Sequence, residues 1–239
     1  MQIKVYNNFN NQHQKDEVSM EIHDISKLEL AIYFGLSIII NSFGNALTVA
    51  LNLGSPLWTA TCVNVSQTIH WSLGNIMVIW GALLIIINTI LIRKIDLKRI
   101  GKSIIFMVLF SYLVSWLSNI LKHSLVMTMN LPMRILFDLF GICLVSLGVS
   151  MYQRVNWMLH PADDLMQIVR FKFFDGNSTK AMLAVYLPAI IIVAITFLIS
   201  HQIVAINIGT IFGLLFQGPM IGICDRICFK RLKHHNLDH

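Results

Sequence analysis

The stretch SFGNALTVALNLGSPLW, residues 42–58, begins inside an apolar run and ends in a break. A helix needs about 20 residues to cross the hydrocarbon core of a bilayer, and the run over 30–53 is long enough. Gly54 and Pro56 interrupt it before Trp58, since glycine commonly ends a helix and proline suits the first turn of the next. The stretch therefore predicts a membrane span that ends in a hinge, followed by a short helix.

The composition is typical of a membrane protein. Of the 239 residues, 56% are hydrophobic and 13% are charged, against roughly 25% charged in soluble domains. So few charges do not cover a soluble surface, which makes the lipid bilayer the first expected partner. The net charge of +6 lies mostly in the predicted loops, and we expect no nucleic acid partner.

Six runs with little or no charge predict six membrane spans. They cover residues 30–53, 75–92, 103–121, 135–152, 181–200 and 204–224. Lys and Arg are retained on the cytoplasmic side of a membrane. If the chain starts inside, all of its 18 Lys and Arg residues except Lys122 and Arg134 lie on the inner side. We therefore predict a multi-pass protein with both termini in the cytoplasm.

The second half of the chain resembles the first. SLGVSMYQRVNWMLHPAD, residues 146–163, matches the opening stretch at offsets of 104 to 105 residues. Each copy holds three spans, and an odd number makes the second copy enter the membrane from the opposite side, as in transporter folds with inverted repeats. Each copy also holds a short amphipathic helix that begins at a proline, over 56–71 and 161–175. These helices either lie in the membrane interface or dip into the protein.

The predicted fold is therefore an all-α membrane protein of six transmembrane helices, arranged as two inverted three-helix repeats. A polar cytoplasmic segment (1–27) precedes the first repeat (28–122). The second repeat (131–226) is followed by a basic cytoplasmic tail (227–239).

The sequence resembles the bacterial YczE/YitT-type integral membrane proteins over residues 30–230. In the first repeat the resemblance rests on Gly44, Gly54, Pro56, Trp58 and Gly74. In the last span it rests on Gly209, Thr210, Gly218, Pro219 and Asp225. The sequence departs from that pattern where Leu57 separates Pro56 from Trp58, and where Asp163 takes the tryptophan position in the second copy. The resemblance implies a polytopic fold in the bacterial cell membrane and specifies no activity.

Residues for catalysis are not visible as a group. A nucleophile with a base, paired carboxylates or a metal cluster would be required, so we predict no enzyme, no cofactor and no metal site. The four cysteines lack zinc-type spacing. The histidines of the tail KRLKHHNLDH belong to a solvated end that is attracted to anionic lipid.

Polar side chains within the predicted helices are the candidates for a substrate pathway between the two copies. Asn41 and Asn45 share one helix face. Asp138 is an intramembrane acid, which makes it a functional candidate, with a local ion pair to Arg134 as the alternative. The full pathway set is Asn41, Asn45, Asn64, Gln67, Asp138 and Gln217.

Two further sets have structural roles. The hinge and helix-start residues are Gly54, Pro56, Trp58, Pro161 and Asp163. The sixth span carries two GxxxG pairs, Gly209 with Gly213 and Gly218 with Gly222, which predict close helix packing.

Two functions fit these features. The first is a small transporter or permease, favoured by the repeat, the short helices and the polar stripe. The alternative is a non-transporting accessory protein that binds or stabilises a membrane partner, including a second copy of the chain. It is favoured by the small size and by the lack of a well-placed charged coupling residue.

Overall fold

The chain is all-helical in its computed structural model, which describes residues 26–175, 178–229 and 232. The α-helices are α1 (Lys27–Leu51), α2 (Leu57–Ile69), α3 (Leu73–Ile92), α4 (Leu97–Lys122), α5 (Leu131–Val155), α6 (Pro161–Phe173), α7 (Ser178–Ser200) and α8 (Ile208–Ile227), with a 3₁₀ turn at Leu125–Thr128. Six of them, all except α2 and α6, are long and apolar enough to cross a membrane. The six predicted spans are confirmed, and the chain is a multi-pass membrane protein. Most of the predicted terminal segments 1–27 and 227–239 lies outside the described residues.

Helices α1 and α5 have matching lengths and ends. Each has 25 residues and stops at an asparagine in the left-handed conformation, Asn52 (φ 54°) or Asn156 (φ 50°). Asparagine tolerates this conformation better than most residues. In both cases a short connection follows and then a 13-residue helix, α2 or α6.

The centre of the molecule is the packing of α1 against α5. A Cβ atom added to Gly44 would lie 2.6 Å from the carbonyl oxygen of Gly141, and one added to Gly141 would lie 2.8 Å from Thr48 Cγ2. These glycines therefore allow the two backbones to approach closely, as small residues commonly do in membrane helices. Helix α4 packs on α1, and α8 packs on α5.

The two short helices dip into the protein. Helix α2 begins with buried residues, including Leu57 and Ala60, and ends at Ile69, which is 48% exposed. Helix α6 begins with buried Pro161 and ends near Phe171, which is 67% exposed. The two short helices therefore enter the protein and do not lie flat in the membrane interface.

The short helices run towards opposite ends of α3. Helix α2 ends at Ile69, shortly before α3 starts at Leu73. The Lys172 ammonium group near the end of α6 donates to the carbonyl of Leu91, at the other end of α3. Because the 20 residues of α3 extend about 30 Å, the outer ends of α2 and α6 are separated by about the thickness of a hydrocarbon core. Each short helix also packs on the opposite half of the chain, α2 on α7 and α6 on α3.

Hydrogen bonds join the break after α1 to the connection between α7 and α8. The Ser55 N–H donates to the Ala205 carbonyl (2.9 Å), and the Ala205 N–H donates to Asn52 Oδ1 (2.7 Å). The Asn64 side chain donates to the Val204 carbonyl (2.6 Å) and accepts from the Val204 N–H (2.9 Å). These bonds satisfy backbone groups that have no helical partner, as an apolar environment requires.

The last span starts later than predicted, because the residues before it bond to the first break. A helix was expected from residue 204, but α8 begins at Ile208. The residues before it form backbone hydrogen bonds with the first break, which a helix starting at Val204 would not allow. The Gly209 N–H then donates to the Leu53 carbonyl (3.0 Å), which fixes α8 against the break.

Gly54 is the residue of the break that tolerates substitution least. Its φ is +134°, and an added Cβ atom would lie 2.6 Å from the Gly209 nitrogen. We expect Gly54→Ala to lower the free energy of unfolding by at least about 1 kcal/mol, because alanine disfavours positive φ and the backbone of α8 would have to move. Denaturant titration of the purified protein in mixed micelles measures the change.

Gly101→Ala is the matched control. Gly101 lies in α4, and an added Cβ atom there meets nothing within 4 Å. Alanine favours helix by up to about 1 kcal/mol over glycine, so this variant should be as stable as the wild type or more stable. Equal losses of stability in the two variants would contradict the role of Gly54.

Candidate functional site

A cavity of about 70 Å³ lies where the buried starts of α2 and α6 meet the middle of the bundle. Its polar and aromatic lining comes from seven helices, all except α7, and from the residue before α6: Asn41, Asn45, Trp58, Thr59, Trp80, Phe110, Tyr152, His160, Asp163 and Gln217. Pro56, Cys62, Met77, Gly81, Val145, Val149 and Ala162 complete it. The two halves of the chain therefore share one site.

A chain of hydrogen bonds connects α1 with the start of α2 at this cavity. The Asn45 side-chain amide donates to Asn41 Oδ1 (2.8 Å) and to the Asn41 carbonyl (3.0 Å). The Thr59 hydroxyl donates to Asn45 Oδ1 (2.6 Å). The two asparagines are fully buried and cannot bond to bulk water. These hydrogen bonds within the protein take the place of bonds to water. Asn41 and Asn45 are thereby held in fixed orientations beside the cavity.

The start of α6 contributes an acid to the cavity. The Tyr152 hydroxyl of α5 donates to the carboxylate of Asp163, which is half-buried. Burial raises the pKa of Asp163 to about 6; the bond from Tyr152 acts in the opposite direction, and the neighbouring charge of Asp164 adds to the rise. Asp163 is therefore close to its titration midpoint slightly below neutral pH.

His160 caps the same helix and is uncharged. Its Nδ1 accepts the N–H of Ala162 (3.2 Å), and its ring packs edge-on against Phe106 and Phe110 at centroid distances of 5.8 and 5.2 Å. Burial lowers the pKa of His160 to about 4. A neutral imidazole whose Nδ1 accepts a hydrogen bond carries its proton on Nε2.

Aromatic rings enclose one side of the cavity. The ring centroids of Trp58 and Trp80 are 5.8 Å apart, and Tyr186 of α7 packs edge-on against Trp58 at 6.1 Å. Trp58 lies in the first turn of α2 and Trp80 in the middle of α3. Trp58, a predicted helix-start residue, is thus part of an interior aromatic cluster.

The predicted pathway residues separate into two sets. Asn41, Asn45 and Gln217 line the cavity, as do the hinge residues Pro56, Trp58 and Asp163. The others do not: Asn64 is buried and bonded to Val204, and Gln67 is exposed. Among the lining residues that the sequence analysis did not identify are Thr59, Trp80, Tyr152 and His160. A histidine before Pro161 was a usable signal, because side chains at that position commonly cap a helix.

Asp138 lies elsewhere, at the junction of α5 with the first break and the start of α8. It is fully buried, and neither carboxylate oxygen accepts a hydrogen bond within the described part of the chain. An added Cβ atom at Gly209 would overlap Asp138 Oδ2 and lie 2.5 Å from the Gly54 carbonyl oxygen. The Asp138 carboxylate therefore fits beside α8 only because residue 209 is a glycine.

The alternative of a local ion pair between Arg134 and Asp138 is wrong. The Arg134 guanidinium instead donates to the Leu51 carbonyl (2.8 Å) at the end of α1. This carbonyl belongs to the last turn of the helix, which leaves it without a helical partner. The arginine therefore caps α1 and does not neutralise the acid.

The two predicted glycine pairs of α8 have different surroundings. Gly209 and Gly213 are buried. Cβ atoms added to Gly218 and Gly222 would meet nothing within 4 Å, so the second pair makes no close helix contact among the described residues. Helix α8 turns this part of its surface outward.

The second break, before α6, is held by charged and amide groups. Arg99 of α4 forms an ion pair with buried Asp164, and its Nε donates to Asp164 Oδ2 (3.1 Å). The Asn88 side chain of α3 donates to the Pro161 carbonyl (2.9 Å). No group of three or more His, Cys, Asp or Glu residues that could hold a metal ion occurs in the described ranges.

Comparison with known proteins places the chain in a family. Residues 28–226 match DUF6198, a family of unknown function, and the chain belongs to that family. The chain is also 28% identical to the Bacillus subtilis uncharacterized protein YyaS over 144 residues, which is 58% of this chain and 67% of YyaS. No solved structure matches the chain. These matches do not name the YczE/YitT group, so that resemblance stays a prediction.

The raised pKa of Asp163 predicts a titration that infrared spectroscopy can detect. In the folded protein we expect a protonated carboxyl band that disappears with a midpoint near pH 6, and we expect Asp163→Asn to lack it. An unfolded aspartate titrates near pH 3.9, so the folded state binds the extra proton between about pH 4 and 6. The contribution of Asp163 to stability should therefore fall as the pH rises through this window. A wild-type spectrum identical to that of the variant across this range would contradict the assignment.

Proposed function

We propose that this member of the family is a small permease of the bacterial cell membrane, with a solute site in the central cavity and no catalytic chemistry. One observation carries the proposal: two short helices enter the bundle from opposite ends, and their starts meet at one cavity that contains polar and aromatic side chains. Interrupted helices that meet near the middle of the membrane are typical of secondary transporter sites. A protein with only a structural role has no need of such a site.

The proposal includes two inverted three-span repeats. Helices α1 and α5 are related by a shift of 104 residues at both ends, and so are α2 and α6. The packing supports the inversion, because α2 contacts α7 while α6 contacts α3, and α1 contacts α4 while α5 contacts α8. The first pair of contacts crosses between the halves and the second recurs within each half, as a two-fold axis predicts. The opposite directions of α2 and α6 favour an axis in the membrane plane.

The proposal also includes a cytoplasmic location for both termini. The connection between α3 and α4 and the end of α6 lie at the same end of the bundle, since Lys172 reaches Leu91 and Arg99 reaches Asp164. This end carries Arg93, Lys94, Lys98, Lys102 and Arg170, and the opposite connection carries Lys122 and Arg134. The end with more basic residues is cytoplasmic under the positive-inside rule.

A non-transporting accessory role is the second candidate. It is favoured by α7 and α8, in which only 17% of the residues of the apolar window are buried. Lipid, a second copy or another membrane protein would cover these helices. The flux experiment below separates this role from transport.

Flux into proteoliposomes tests the permease. Across a panel of small cations, anions and neutral solutes, we expect one class to enter faster than it enters protein-free liposomes. Asn41→Leu should then reduce this flux by up to about tenfold, because a solute in the cavity loses a hydrogen-bond partner worth about 0.5–1.5 kcal/mol. Asn119→Leu, at an exposed position of α4, is the matched control and should retain the flux. Wild-type flux equal to that of protein-free liposomes for every class would favour the accessory role.

Cysteine labelling tests the orientation. In a background without the four native cysteines, Lys98→Cys should react with a membrane-impermeant reagent only after the cells are opened. Lys122→Cys should react in intact cells, because it lies in the opposite connection. Labelling of Lys98→Cys from outside intact cells would contradict the cytoplasmic location of the α3–α4 connection.

A further inference from the structure

The charge of the central cavity is negative. Among its described lining residues, Asp163 is the acid, and no Lys or Arg contributes to the lining. The remaining polar groups are amides, hydroxyls and the uncharged His160. A carboxylate carries a full charge, whereas the start of a helix is equivalent to roughly half a positive charge. The start of α6 adds a similar partial charge, but Pro56 and Pro161 have no N–H group to offer, and the Ala162 N–H is already bonded to His160. The carboxylate of Asp163 is therefore the charged group that a solute meets directly, and a bound solute should be a cation.

The walls of the cavity specify what kind of cation. Trp58, Trp80, Phe110 and Tyr152 present aromatic rings, and Met77 and Val149 add apolar surface. A hard metal ion requires six or more oxygen ligands, which this lining does not suit. An organic ammonium group is attracted to the faces of aromatic rings, and its alkyl groups gain from contact with apolar walls. One carboxylate beside aromatic rings is the combination that a substituted ammonium ion prefers.

The volume limits the size of this cation. The cavity of about 70 Å³ is about half the size of the roughly 150 Å³ cavity that binds benzene in an engineered protein. A cation with two to four non-hydrogen atoms fits this space. Methylammonium and dimethylammonium have this size, and tetraethylammonium is far too large.

We infer that the central cavity binds a small alkylammonium ion, with the N–H groups directed to Asp163 and the methyl groups packed against Trp58 and Trp80. This ion would be the substrate of the permease, so the inference rests on the proposed function. Asn41 and Gln217 supply amide oxygens for the remaining N–H groups. Tyr152 orients the acid by donating to Asp163.

Calorimetric titration of the purified protein in detergent tests the inference without requiring transport. Methylammonium should bind the wild type, and neither formate nor methanol should bind as tightly. Asp163→Asn should weaken methylammonium binding at least about tenfold, because a hydrogen bond to a charged group contributes more than a neutral one. Trp80→Leu should weaken binding by removing an aromatic face.

Asp96→Asn is the control. Asp96 caps α4 outside the cavity, and asparagine caps a helix equally well, so this variant should bind methylammonium as the wild type does. Circular dichroism spectra and thermal unfolding curves verify that each variant is folded.

A pH series on the wild type keeps the test independent of any variant. Four titratable groups lie around Asp163: Tyr152 of α5, His160 and Asp164 at the start of α6, and Tyr186 of α7. Of these, His160 is already neutral above about pH 4. Methylammonium binding should therefore weaken as the pH falls through about 6, when Asp163 becomes protonated.

The outcomes separate this inference from the permease proposal. The inference is overturned if methylammonium fails to bind the wild type, if Asp163→Asn binds it equally well, or if formate binds more tightly. Flux of an anion or a neutral solute without methylammonium binding would overturn the substrate class and leave the permease intact. Methylammonium binding without any flux would support the site and contradict transport.

Discussion

A helix that stops inside a membrane leaves backbone N–H and C=O groups without partners, and this constraint governs the structure. Each unsatisfied group costs several kcal/mol in hydrocarbon, so the break after α1 exists only because another segment bonds to it. That segment is the connection between α7 and α8, in which Ala205 bonds to both Asn52 and Ser55. The first interruption in the chain thus depends on residues about 150 positions later.

The second interruption is satisfied in a different way. At the start of α6, Pro161 lacks an N–H group, and its carbonyl accepts from Asn88. Asp164 in the first turn favours the positive end of the helix and pairs with Arg99. Backbone and side-chain amides hold the first break together with Arg134 at the end of α1, whereas an ion pair and the Asn88 amide hold the second. The two halves share an arrangement of helices but not the chemistry that closes it.

The sequence predicted the elements that depend on local patterns. Charge-free runs marked the six spans, and the glycine and proline residues marked the breaks. Asn41 and Asn45 were found because a four-residue spacing places two polar groups on one helix face. Asn64 and Gln67 show where the same argument stops, because a three-residue spacing also places two side chains on one helix face and yet these two do not line the cavity. Asn64 instead turns inward to a backbone segment 140 residues away, and no local pattern contains such a contact.

Long-range contacts also explain why the cavity was only partly predicted. Trp80 and Tyr152 lie within apolar spans, where an aromatic side chain is an ordinary packing or lipid-facing residue. They become part of a site only because α2 and α6 enter the bundle and bring Trp58 and Asp163 to them. The short helices thus perform two tasks with the same residues. The start of each short helix follows an interruption of a span. The interruptions leave the central cavity, and side chains from both halves of the chain line it.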